Sequence, residues 1–198
     1  LFDGSGFEYL GELVVSGKTL QAELKQCLPG LARETLAIHL GQGLSRGERM
    51  DWVIQKATEL GASSITPIIT ERCEVQLKGA RCEKRLSHWR QIAISACEQC
   101  GRSYLPQINP PQPLKSWLAE TCADLKLVLS PQSASALPNA QPASLALLIG
   151  AEGGLTGDEI EQAQSAGFQS LQLGPRILRT ETAAVAALAV VQQRFGDF

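Results

Sequence analysis

The sequence predicts an α/β protein built on a mostly parallel sheet, and three observations carry that expectation. From Thr35 onward, strand-like runs alternate with helical patterns at the spacing of βαβ units. The runs Leu125–Leu129 and Leu145–Ile149 have the apolar look of strands covered on both faces. Residues 1–30, in contrast, read as β structure alone, ending at Pro29-Gly30.

In chain order, Phe7–Val15 and Thr19–Leu24 are strand-like, with Ser16-Gly17-Lys18 as the turn between them. Thr35–Leu40 is a strand. Arg46–Leu60 has helical spacing through Trp52, Ile54 and Leu60, with Gly61 as its C-terminal stop. Ser64–Thr70 is a β-branched strand, and Glu83–Cys100 a helix stopped by Gly101. A connector carrying Pro106, Pro110, Pro111 and Pro113 leads to a short helix at Leu114–Glu120. Strand Leu125–Leu129, an irregular loop Pro131–Ser144 and strand Leu145–Ile149 follow. Thr156 with Glu159 three residues later forms a capping box for a helix ending near Gly167. Strand Ser170–Leu173 and the Ala-rich helix Thr182–Phe195 complete the chain.

The 198 residues are 44% hydrophobic and 19% charged, a globular composition with no apolar run long enough to span a membrane. The chain starts at Leu1 in what reads as the end of a strand, so a segment upstream is expected. Six cysteines in a chain this long do not form a disulfide framework; with no leader in view, reduced thiols and a cytoplasmic setting are expected. The net charge of −2 is unevenly spread. Between Glu71 and Arg102, seven Lys/Arg face four Glu, a local +3, while Leu145 to the end carries three Arg against six acids, a local −3. The basic segment suits a polyanion as well as it suits a solvated helix face.

Two local patterns carry little chemistry. Gly41-Gln42-Gly43-Leu44-Ser45-Arg46-Gly47 follows a strand and precedes a helix, as a dinucleotide-binding turn does, but its sixth position is Arg46 instead of glycine. An ordinary glycine-rich connection is the better reading. Cys97-Glu98-Gln99-Cys100 lies at a helix end, where no dipole acidifies the thiols, and lacks partners for a four-ligand zinc site.

The C-terminal third is different. Gly150-Ala151-Glu152-Gly153-Gly154-Leu155-Thr156 follows one strand, and Gly174-Pro175-Arg176-Ile177-Leu178-Arg179-Thr180-Glu181-Thr182-Ala183 follows another. Leu129-Ser130-Pro131 ends a third. Parallel sheets bind ligands beyond the carboxyl ends of their strands, and glycine lets backbone approach a ligand.

These two motifs, with Gln55-Lys56-Ala57-Thr58-Glu59-Leu60-Gly61 and Ala96-Cys97-Glu98-Gln99-Cys100-Gly101-Arg102, resemble the RsmE family of SPOUT-superfamily methyltransferases. The likeness covers nearly the whole chain. It implies transfer of a methyl group from S-adenosylmethionine to N3 of a uridine in 16S small-subunit ribosomal RNA. It also implies a PUA-like β-barrel, of which residues 1–32 are a remnant, and a methyltransferase domain over residues 33–198 with a C-terminal trefoil knot and a homodimeric assembly. Ala151 stands where the family usually has proline, which should loosen the loop.

On that likeness, cofactor contacts fall at Leu129, Ser130, Gly150, Glu152, Gly153, Leu173, Gly174, Ile177, Leu178 and Thr182. Uridine N3 must lose a proton before it attacks, which makes Glu181 and Glu98 candidate bases. Arg179 and Arg102 could stabilise charge on the flanking carbonyl oxygens. Glu181 serves equally well as a first-turn acid for the following helix. Arg72, Lys78, Arg81, Lys84, Arg85 and Arg102 form the expected RNA surface, against the small subunit or its free RNA. Two other classes fit less of the chain. A nicotinamide oxidoreductase needs the Gly41–Gly47 turn, and a non-catalytic RNA-binding module has no use for two ligand-type loops.

Overall fold

A computed structural model describes residues 1–75, 77–130, 137–139 and 141–198. Of the irregular loop expected from Pro131 to Ser144, residues 131–136 and 140 lie outside the described residues. The chain opens with an antiparallel hairpin, β1 (Phe7–Ser16) and β2 (Thr19–Pro29). The elements that follow are β3 (Ala37–Gly43), α1 (Glu48–Glu59), β4 (Ala62–Ile69), α2 (Ala80–Cys100), β5 (Gln107–Ile108), β6 (Gln112–Pro113) and α3 (Leu114–Glu120). The last third holds β7 (Leu125–Leu129), β8 (Ser144–Ile149), α4 (Gly157–Ser165), β9 (Gln169–Leu171) and α5 (Thr180–Phe195).

Every pairing in the main sheet is parallel, in the order β5-β4-β3-β8-β7-β9, with β6 also on β4. Alternation along β8 shows how the sheet is covered. Leu145, Leu147 and Ile149 join the core beneath α1, α2 and α5, whereas Ala146 and Leu148 join Trp117, Ala163 and Phe168 beneath α3 and α4. A strand buried on both faces reads as unbroken apolar sequence, and β8 does. No helix among the described residues is long and apolar enough to cross a membrane.

Two glycines expected in a turn instead lie within β3. A Cβ on Gly41 would meet the Trp117 ring at 2.6 Å, and one on Gly43 would meet Ala151 N at 2.1 Å. These glycines bring other elements onto the strand. The proline-rich connector contributes β5 and β6, two-residue strands set by their pairing with β4.

The hairpin stands apart from the layers. It joins them through Gly6 N to Ser103 O (2.9 Å) and Ser103 Oγ to Glu8 Oε1 (2.9 Å). Leu10, Leu13, Val15, Leu20 and Leu24 on it are all exposed.

Candidate active site

The carboxyl ends of β7, β8 and β9 and the start of α5 enclose a cavity of about 600 Å³. That size falls in the roughly 300–1,000 Å³ range of small-molecule sites. Its walls are loops because the chain must turn there. After β8, Gly150 lies so near the returning chain that a Cβ on it would meet Gly154 C at 2.7 Å. Gly154 then takes φ 68°, and its N–H closes the turn on Ala151 O at 2.8 Å. Ala151 is buried and its amide packs on Gly43.

The second wall forms where the chain returns from the sheet edge. β9 lies outside β7, yet α5, which follows it, packs on α1 and β8. Residues 172–179 make that return, and its end is fixed by a buried polar knot of side chains. Gln42 Nε2, wholly buried on β3, donates to Thr180 Oγ1 (2.9 Å) and Gly150 O (3.3 Å). Thr180 Oγ1 donates to Gly150 O at 2.6 Å. Both glycine-containing loops are thereby tied to the centre of the sheet.

The lining mixes an apolar floor with charged walls. Leu129, Ile149, Leu155, Leu173, Leu178 and Ala183 supply the former; Arg49, Arg72, Glu152 and Glu181 are among the latter. Arg49 NH1 and the Arg46 amide both reach Glu152 Oε1, at 2.9 and 3.0 Å. Burial raises the Glu152 carboxyl, but the hydrogen bonds from Arg46 and Arg49 outweigh it and hold the group below its ordinary value. Arg49 is raised in return, first by its bond to Glu152, with Glu181 adding to it through space.

Of the residues expected to hold a cofactor, Leu129, Ser130, Gly150, Glu152, Gly153, Leu173, Gly174, Ile177 and Leu178 line the cavity. Thr182 does not; it is exposed on the first turn of α5. Arg179 and Glu181 line it too. Two other expectations need correction. Glu98 is exposed near the end of α2, whose neighbour Arg102 contacts the start of β4, at the opposite end of the sheet from the cavity. With strands of six to eight residues between, about 20 Å separates it from the loops. Arg102 is 6% exposed: Nε pairs with Glu34 at 2.6 Å, and NH1 donates to Thr58 O and Ala62 O. A guanidinium committed to closing the end of α1 offers nothing to RNA or to a transition state.

Arg72, Lys78, Arg81 and Lys84 are exposed and Arg85 is half-buried, as a basic surface requires. Arg72 also donates to Gly153 O at 3.0 Å, which joins this surface to the cavity rim. Sequence reasoning missed Gln42, Arg49 and Thr180. A glutamine between two glycines in an apolar strand was the available signal for Gln42.

Comparison with known proteins agrees with this geometry. Residues 32–192 match the model of the RNA methyltransferase domain family. The ribosomal RNA small subunit methyltransferase E of Buchnera aphidicola (from Schizaphis graminum) is 40% identical over the full chain and 82% of its own length. A methyltransferase of Legionella pneumophila, solved with bound S-adenosylmethionine, superposes with a TM-score of 0.95 at 41% identity, covering 100% of this chain and 83% of that one. The Neisseria gonorrhoeae ribosomal RNA small subunit methyltransferase E, also solved with S-adenosylmethionine, gives 0.91 at 41% identity with the same coverage.

Proposed function

The chain belongs to the RNA methyltransferase family, and we propose that it methylates N3 of a uridine in 16S small-subunit ribosomal RNA, with S-adenosylmethionine as donor. The observation that carries this is the convergence of two glycine-containing loops on one cavity, locked by Gln42, Thr180 and Gly150. The residues present fit the donor. An apolar floor suits an adenine, carboxylates suit a sulfonium and ribose hydroxyls, arginines suit a carboxylate, and a Cβ at Gly150 or Gly153 would intrude on neighbouring atoms. Bound there, S-adenosylmethionine would supply an activated methyl group.

In this reading Leu129, Ser130, Gly150, Gly153, Leu173, Gly174, Ile177 and Leu178 hold the donor mainly through backbone, while Glu152 fixes its own loop through Arg46 and Arg49. Alignment of donor and acceptor is the larger part of the catalysis. Glu181 accepts the proton of N3, a contribution of about 10²–10⁴-fold, and Arg179 faces the charge left on the uracil oxygens. Residues 1–32 belong to a PUA-like barrel, since an isolated hairpin with both faces exposed is marginal in water. The return of residues 172–179 is part of a trefoil knot, and two copies form a homodimer. Ile177, 87% exposed at the cavity rim, supports a second surface closing over the site.

Unmodified small ribosomal subunits incubated with protein and methyl-labelled S-adenosylmethionine should gain label at one uridine. Label elsewhere, or none, overturns the reading.

A further inference from the structure

A second cavity, of about 450 Å³, opens beyond the carboxyl ends of β3 and β4, on the same end of the sheet as the first. Arg46, Gly47, Glu74, Arg81, Arg85 and Trp89 are among its walls. The two cavities share a partition: the Arg46 amide donates to Glu152 Oε1 of the first, and Arg46 also lines the second. Resting on the methyltransferase reading, we propose that this second cavity seats a backbone phosphate of the RNA strand beside the nucleotide presented to the cofactor.

Among the described residues, three arginines there outnumber one glutamate. Arg81 is exposed and makes no ion pair among the described residues. Arg85 lies 3.8 Å from Asp51 Oδ2, beyond hydrogen-bond reach, and Asp51 is already engaged by Trp89 Nε1 at 2.9 Å and His88 Nε2 at 3.0 Å. Arg46 is paired with Glu74, but both side chains are over 60% exposed, so that pair is weak and readily exchanged. Glu74 thus occupies Arg46 as a resident anion that a phosphate would displace. At the cavity edge, Gly47 is the N-cap of α1 and provides no side-chain cap hydrogen bond, although Glu48 and Asp51 stand in the first turn.

The lining selects phosphate over base. Planar guanidinium forks match phosphate oxygens. Trp89, the only aromatic residue of the wall among the described residues, is 1% exposed and has no free face on which a base could stack.

The test measures binding of unmethylated small ribosomal subunits between 50 and 300 mM KCl, for the wild type, Arg81→Ala and Glu74→Gln. Arg81→Ala should weaken binding about three- to tenfold and lower the salt slope by about 0.7–0.9, the share of one phosphate contact. Glu74→Gln should strengthen binding about two- to fivefold by removing the competing carboxylate. Affinity for S-adenosylmethionine, read by calorimetry, should stay as in the wild type for both variants. Unchanged subunit binding by Arg81→Ala, or no gain with Glu74→Gln, overturns the proposal. Saturable uptake of inorganic phosphate that both variants alter, with subunit binding untouched, would also overturn it, assigning the cavity to a free anion. A wild type that neither takes up S-adenosylmethionine nor methylates subunits defeats the underlying reading instead, and the two failures are separately visible.

Discussion

Gln42 and Thr180, 138 residues apart in sequence, meet through a 2.9 Å hydrogen bond beside the larger cavity. Thr180→Val keeps the shape and removes the hydroxyl that serves both Gln42 and Gly150 O. A buried network broken on one side should cost about 1–3 kcal/mol. Urea titration should show that loss, with S-adenosylmethionine affinity falling at least tenfold. Affinity as in the wild type would mean the two loops hold their positions without this tie.

Gly150→Ala and Gly153→Val should separate two kinds of crowding. The added atom at Gly150 meets three backbone atoms at 2.7–2.9 Å, whereas at Gly153 it meets Arg72 Cβ at 2.8 Å and Arg72 O at 3.3 Å. Three close backbone atoms leave Gly150 no room, while exposed Arg72 lies on a surface segment that can shift as a whole, so Gly150→Ala should abolish cofactor binding and lower the melting temperature. Gly153→Val should block binding while leaving circular dichroism unchanged.

Glu152 carries a pH signature. Its carboxyl is held below the ordinary value of 4.5, so its contribution is complete above that value and fades only as pH falls through the lowered one. Glu152→Gln should therefore be less stable than the wild type at pH 7. The gap in urea midpoint should narrow on acidification and close once the wild-type carboxyl is protonated. A gap independent of pH would assign the difference to packing.

Cys97 should be inert. Burial pushes its thiol up to about 11, and Sγ points at Tyr104 O. Between pH 9 and about 11 the unfolded thiol ionises while the folded one does not, so stability attributable to it declines as pH rises through that window. Native protein treated with iodoacetamide at pH 8 should be labelled at exposed Cys27 and Cys122 but not at Cys97, as peptide mass spectrometry would show.

Arg102→Ala should destabilise the fold, by about 3–5 kcal/mol, since it strands Glu34 and two buried carbonyls. RNA affinity of the folded fraction should not change. A salt-dependent loss of RNA binding at full stability would return Arg102 to the basic surface.

What could be read from sequence divides along the range of the interactions involved. The Thr156–Glu159 capping box is local, and both of its hydrogen bonds form as expected. Helix Leu114–Glu120 and strand Leu125–Leu129 have the expected bounds, because proline and apolar runs mark them within a few residues. The loops that line the cavity were also legible, through glycines at strand ends. Long-range facts were not. Two-residue strands in a proline-rich connector exist only through β4. Gly41 and Gly43 look like a turn until Trp117 and Ala151 are seen to fill the space beside them. Charge alone cannot separate Arg102, sealed against Glu34, from exposed Arg81.

The cavity joins Gly150 to a strand 108 positions earlier and to a helix 30 positions later. No nascent fragment ending before that helix can possess it, because one wall has yet to be synthesised. The cavity is thus complete only once α5 has been added and packed against the sheet.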